Sequence, residues 1–188
     1  MRVFGAAAVL LGLGAIGPAA AFAEPRVQSE RFDDWFYRCV TPEAGKDNAQ
    51  PQPQCEVVQI AQTKQGRETV NLLTVSVSEI VQDKKKSTVI TVLAPQNVYL
   101  PGGLGLSIDE QNKVALQYRN CNNAGCWIQH TLDSKTLDAL KSGQAGFANI
   151  HLINGQNLNI KFSLRGFKEA LKALQSKKVS KNGARQPS

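Results

Sequence analysis

The sequence predicts a mainly β domain, an antiparallel β-sandwich or partly open barrel with a short helix and a C-terminal amphipathic helix. Three observations carry that expectation. Much of the chain between residues 34 and 164 alternates apolar and polar residues with period two, the signature of half-buried strands. Turn-forming clusters punctuate the alternation, among them Asp83 to Lys86, Pro101-Gly102-Gly103 and Asn154-Gly155. Only two stretches switch to helical spacing.

Taken in order, Asp34 to Val40 (DWFYRCV) reads as a first strand and Cys55 to Ala61 (CEVVQIA) as a second. The polar segment between them, Thr41 to Gln54, carries three prolines and reads as an irregular loop. Val70 to Ile80 and Ser87 to Ala94 are β-branched and flank the charged turn, which predicts a hairpin with a soluble tip. Val98 to Asp109 reads as a short strand, a Pro-Gly-Gly turn and a second strand. VALQYR and WIQHTL then flank Asn122-Asn123-Ala124-Gly125, a hairpin loop. Val114, Leu116 and Tyr118 share one face, so a bulge near Arg119-Asn120 is needed to bring Cys121 and Cys126 into phase.

The first helix is capped by Asp133 or Ser134, runs through Leu137 and Leu140, and stops at Gly143. Ile150 to Leu164 is the clearest hairpin: Leu158, Ile160, Phe162 and Leu164 alternate with polar residues after the Asn-Gly turn. The second helix starts near Gly166, with Phe167, Ala170, Leu171 and Leu174 in one apolar stripe and Lys168, Lys172 and Gln175 facing away. It is expected to pack over an end or edge of the sheets. An outer-membrane barrel fits less well, because aromatics are only 6% of the chain and its end is basic rather than a strand.

Residues 1–23 read as a secretory signal. Arg2 precedes an apolar run from Val3 to Ile16, Gly17-Pro18 breaks it, and Ala21-Phe22-Ala23 supplies a small-x-small cleavage pattern before Glu24. The expected organisation is therefore a signal peptide (1–23), one disulfide-stapled β domain (24–176) and a basic, disordered tail (177–188). After cleavage nothing in the chain reads as a membrane span.

Export fixes the prior on the four cysteines. In an oxidising compartment an even count reads as a disulfide set, and the local pairing is Cys39–Cys55 with Cys121–Cys126. Two rival readings fit less well. The spacings C-x15-C and C-x4-C do not make matched zinc knuckles. A thiol oxidoreductase favours C-x-x-C at a helix N-terminus, whereas these flanks read as strands.

The chain carries a formal charge of +7, and it is concentrated. From Lys161 onward eight basic residues face one acidic residue, Glu169, so residues 1–160 balance to zero. Lys168, Lys172, Lys177 and Lys178 are the candidate contacts for an anionic lipid or glycan surface, beside the plainer reading of a solvated helix face and tail. No recognition helix or stacking platform points to nucleic acid.

No catalytic constellation stands out. His130 and His151 sit at alternating strand positions, and Asp33-Asp34 reads as the solvated entrance to the first strand rather than a working carboxylate pair. There is no GxSxG elbow, HExxH or phosphate loop, and the glycines of LPGGLG read as turn glycines. Trp35 and Trp127 read as core or rim aromatics, with a ligand groove as the alternative. The expectation is a non-enzyme with no cofactor and no metal.

The chain resembles the invasion-associated locus B family, small exported proteins of alphaproteobacteria. The resemblance rests on FDDWFYRC (32–39), CEVVQ (55–59), APQNVYLPGGLGLSID (94–109), YRNCNNAGCW (118–127), TLDALKSG and SLRGFKEALKAL (163–174). It implies a periplasmic or surface-associated β-rich protein, linked in the best-known members to host-cell entry, so that the expected role is host-cell association or invasion through protein or surface contacts, with envelope upkeep as the alternative role. It supplies no catalytic residue. The alternatives are a periplasmic binding module for a lipid or glycan and, less favoured, a thiol–disulfide enzyme. Neither the partner nor the oligomeric state is legible.

Overall fold

The computed structural model describes residues 26–42 and 52–176. The leader, the middle of the loop after Thr41 and the tail from Lys177 lie outside those residues. The leading elements are β1 (Arg26–Phe32), β2 (Trp35–Thr41), β3 (Gln54–Gln65), β4 (Glu68–Gln82) and β5 (Lys85–Ala94). A 3-10 turn (Leu100–Gly102) leads to β6 (Leu104–Ile108), β7 (Gln111–Leu116), β8 (Tyr118–Asn122) and β9 (Gly125–Thr131). Then come α1 (Ser134–Ser142), β10 (Ala145–His151), β11 (Asn157–Ser163) and α2 (Phe167–Ser176).

Alternation sorts these strands into two antiparallel sheets. Seven run in the order β1-β2-β3-β4-β5-β9-β8 and four in the order β11-β10-β6-β7. Trp35, Tyr37, Val57, Leu73, Val75, Val77, Ile90, Val92 and Ile128 turn one face of the larger sheet inward. Leu104, Leu106, Ile108, Ala148, Ile150, Ile160 and Phe162 meet them from the smaller sheet in one shared core. The barrel is not closed, so the sandwich form of the expected class holds. The helix α2 buries Phe167, Ala170, Leu171, Ala173 and Leu174, and it packs on β1 to β4, the first four strands of the larger sheet.

Several elements differ from the sequence reading. The strand β1 carries too few apolar residues to signal itself: it is an edge strand paired only with β2, and all but Phe32 are exposed. Of the two strands expected within residues 98–109 only the second forms, as Leu104–Ile108; Val98 makes just a single bridge to Leu152. The run through Tyr118 is two strands. The chain leaves the smaller sheet at Leu116 and enters the larger at Tyr118, which is why the inward phase of β7 does not carry on to Cys121. The expected bulge is present as a register shift between Tyr118 and Asn120.

The charged turn is shorter than expected. Only Asp83 and Lys84 form it, at φ 50° and 63°, the left-handed pair that suits the twist of a two-residue hairpin. Lys85 and Lys86 belong to β5. Helix α1 is capped by Asp133, whose carboxylate accepts from the Thr136 amide at 2.6 Å. Its stop at Gly143 is steric: φ is −74°, and a Cβ there would lie 2.5 Å from Ile108 Cγ2.

The two ends of the domain lock together. Asp33 and Asp34 form the β1–β2 turn directly before Trp35, which is the solvated entrance to the first strand the sequence predicted. Asp34 pairs with Arg165 at 3.0 Å, and the Trp35 indole donates to the Ser163 carbonyl at 3.0 Å. Gly166 follows at φ +84°, where a Cβ would stand 2.1 Å from the Phe32 carbonyl oxygen. Only glycine lets the β11–α2 corner approach the turn this closely.

Candidate functional site: a groove beside the Cys121–Cys126 staple

Both expected disulfides are formed, each between residues directly opposite in an antiparallel pair. Cys39 faces Cys55 across β2 and β3, and Cys121 faces Cys126 across β8 and β9, both with Cα atoms 4.0 Å apart. Neither pair is a free dithiol. Gly125 closes the second hairpin at φ +142°, against the Ala94 carbonyl, where a Cβ would sit at 2.3 Å. Among the described residues, no group of three or more His, Cys, Asp or Glu is gathered to hold a metal ion.

The other singled-out residues scatter. Trp35 is 1% exposed and belongs to the core. Trp127 is half-buried, and its indole donates to Asn122 Oδ1 at 3.3 Å. His130 is exposed near the end of β9, and His151 is exposed on β10, where its Nδ1 meets Asn157 Oδ1. Asp34 is held by Arg165 and the Ser163 hydroxyl, which keep its carboxyl below the ordinary 3.8. Lys168 and Lys172 are exposed, one turn apart on the outer face of α2, while Lys177 and Lys178 lie outside the described residues.

What the fold does bring together is the segment Pro95–Leu100, which spans the gap between two hairpins. On one side the Val98–Leu152 bridge ties it to the β10–β11 hairpin, with the Tyr99 amide donating to the His151 carbonyl at 2.7 Å and the Ile153 amide to the Asn97 carbonyl at 2.9 Å. On the other side Gln96 Nε2 donates to the carbonyls of Asn122 and Asn123, at 3.1 and 3.2 Å. Asn97 takes φ 63°, a left-handed conformation that asparagine tolerates better than most residues.

Two adjoining open cavities flank this strap. The first, about 440 Å³, has Pro95, Leu152, Ile153 and Leu158 as its apolar walls. The second, about 370 Å³, is walled by Val98, Leu100 and the Cys121–Cys126 disulfide. Gln96 and Asn97 line both, and Asn122 and Asn154 complete the polar rim. No lining residue of either carries a formal charge, in a chain that is 20% charged. Of these walls Leu100 and Ile153 stay 46% and 67% exposed, and Tyr99, next to Leu100, 52%. A ligand in an uncharged, partly apolar recess of this kind would be held by contact and desolvation rather than by ion pairing.

The sequence reading missed this site. Its one legible signal was Ile153, a large apolar residue directly before an Asn-Gly turn, out of phase with the inward-facing Ile150 and Leu152.

Comparison with known proteins gives a consistent result. Residues 35–175 match the family model described as invasion associated locus B (IalB) protein. Among solved structures the chain is similar to invasion associated protein b from Bartonella henselae, at 19% identity and a TM-score of 0.61. That match covers 79% of this chain and 96% of the other, and at such identity it speaks for a shared fold. No curated protein matches the sequence.

Proposed function

The chain belongs to the invasion-associated locus B family, and on that premise we propose that it is an exported, non-enzymatic protein of the cell envelope or surface that acts through protein or surface contacts. The observation that carries this reading is the uncharged groove, held open between two hairpins of a disulfide-stapled body. Two cross-strand disulfides favour an oxidising compartment. Among the described residues no helix is long and apolar enough to cross a membrane. Host-cell association is the role in keeping with the family description, and envelope maintenance is its competitor.

Cell fractionation with protease shaving of intact cells tests the location, and a clean deletion strain tests the role. A strain with unchanged host entry and unchanged envelope integrity overturns the reading. The two cavities also favour a second reading, a periplasmic binding module for a lipid or glycan. Native mass spectrometry with a retained lipid or sugar supports it; a bare protein with no thermal shift across both panels removes it.

A further inference from the structure

We propose that the paired cavities dock an extended, uncharged segment of a partner protein through two apolar side chains spaced i and i+2, with Asn97 holding the segment's backbone. The inference rests on the contact reading above and names the partner's chemistry.

Three features of the groove carry it. The first is charge. A cationic or anionic segment entering these cavities would lose hydration with no counter-charge among the lining residues, so the complementary ligand is uncharged. The second is spacing. The cavities adjoin across Gln96 and Asn97, which line both. An extended chain sends side chains i and i+2 out on the same face, about 6.6 Å apart at the usual strand rise.

The third is the free amide. The Gln96 amide nitrogen is spent on the β8–β9 turn, and the Asn97 carbonyl is spent on Ile153. The Asn97 side chain makes no hydrogen bond among the described residues. Its amide offers an acceptor and two donors, enough to pair with both the N–H and the C=O of one peptide group in an extended segment. Two of the walls, Leu100 and Ile153, stay exposed, as does Tyr99 next to Leu100, an aromatic and aliphatic combination of the kind found at protein contact sites.

The test is a selection from a phage-displayed library of seven-residue peptides on the full folded chain, followed by comparison of the enriched peptides on an Ile153→Asp variant. Ile153 is a surface residue, so that variant is expected to keep the parent's unfolding transition. Enriched peptides are expected to lack charge and to share two apolar residues at i and i+2. In a binding assay with the synthesised peptides, Ile153→Asp and Asn97→Gly should each weaken affinity about tenfold or more, while added salt changes it little. Glycine accepts the left-handed backbone at 97 and removes the side chain that carries the amide.

Enrichment of charged peptides, or of peptides that both variants bind as well as the parent, overturns the proposal. So does an empty selection, and so does maltopentaose shifting the groove amides in NMR spectra while no peptide is enriched, which assigns the groove to a neutral glycan. A failed selection beside a deletion strain that still loses host entry or envelope integrity sinks this inference and leaves the contact reading standing.

Discussion

Trp35 and Phe167 meet edge to face, with ring centroids 4.8 Å apart and planes at 61°. They come from the β1–β2 corner and the first turn of α2, so this contact, with Asp34–Arg165 and Trp35–Ser163, joins the two ends of the described domain. Both rings are essentially fully buried. Trp35→Ala and Phe167→Ala should each cost about 3–5 kcal/mol by cavity formation. The double variant should cost less than the sum by about 0.5–1.5 kcal/mol, the aromatic coupling itself. Chemical unfolding of the four proteins in the cycle measures it, and strict additivity would remove the contact from the account.

The disulfides should contribute unequally. Cys39–Cys55 spans 16 positions and Cys121–Cys126 only 5, so loop-closure entropy assigns roughly 3 kcal/mol to the first and about 2 to the second. Paired Cys→Ser variants compared by urea midpoints test the order. A larger loss from the short loop would mean that the second bridge acts through native packing instead.

The Asp34–Arg165 pair sets a pH dependence. Hydrogen bonds from Arg165 first, and from Ser163 next, depress the Asp34 carboxyl in the folded state. A depressed carboxyl adds stability above its ordinary 3.8, and that stability is lost as pH falls through the folded value. Both partners are partly exposed, so the effect is small and salt-sensitive. An NMR titration should place the Asp34 midpoint below 3.8, and Arg165→Gln should bring it back toward that value. An unchanged midpoint in the variant would assign the shift to something else.

Tyr118 buries its hydroxyl without a hydrogen-bond partner among the described residues, and burial pushes its ionisation up to about 12. An unsatisfied buried hydroxyl costs rather than contributes, so Tyr118→Phe should leave stability unchanged or raise it by about 1 kcal/mol. The raised value also means that whatever stability the neutral phenol carries is complete below 10 and fades as pH climbs toward 12. A loss of more than about 1 kcal/mol in the phenylalanine variant would show that the hydroxyl has a bonding role.

Lys168 and Lys172, with Lys177 and Lys178 beyond the described residues, remain proposed contacts for an anionic surface. Binding to phosphatidylglycerol vesicles should fall steeply with salt and should drop in a Lys168→Glu, Lys172→Glu variant, whose buried α2 stripe is untouched. Binding that ignores both changes would leave this helix face merely solvated.

Much of the fold was legible because burial writes itself into alternation. Leu158, Ile160 and Phe162 on β11 and the Phe167–Leu174 stripe on α2 announce which face is inside. The strand β1 was silent because its partner is a backbone edge, and pairing by main-chain hydrogen bonds asks nothing of side chains. The sheet change at Gln117 was hidden for a related reason: a strand that crosses between layers keeps its β-propensity while its inward phase resets. The groove is a tertiary product of residues 95–100, 121–126 and 152–158, and no local pattern in any one of them calls for the others.

One mass measurement bears most directly on the whole account: intact-mass analysis of the protein isolated, unreduced, from the cells that make it. The account predicts a chain that begins at Glu24 and is lighter than its composition by the four hydrogens that two cystines remove. A full-length chain starting at Met1 with all four thiols intact would contradict it.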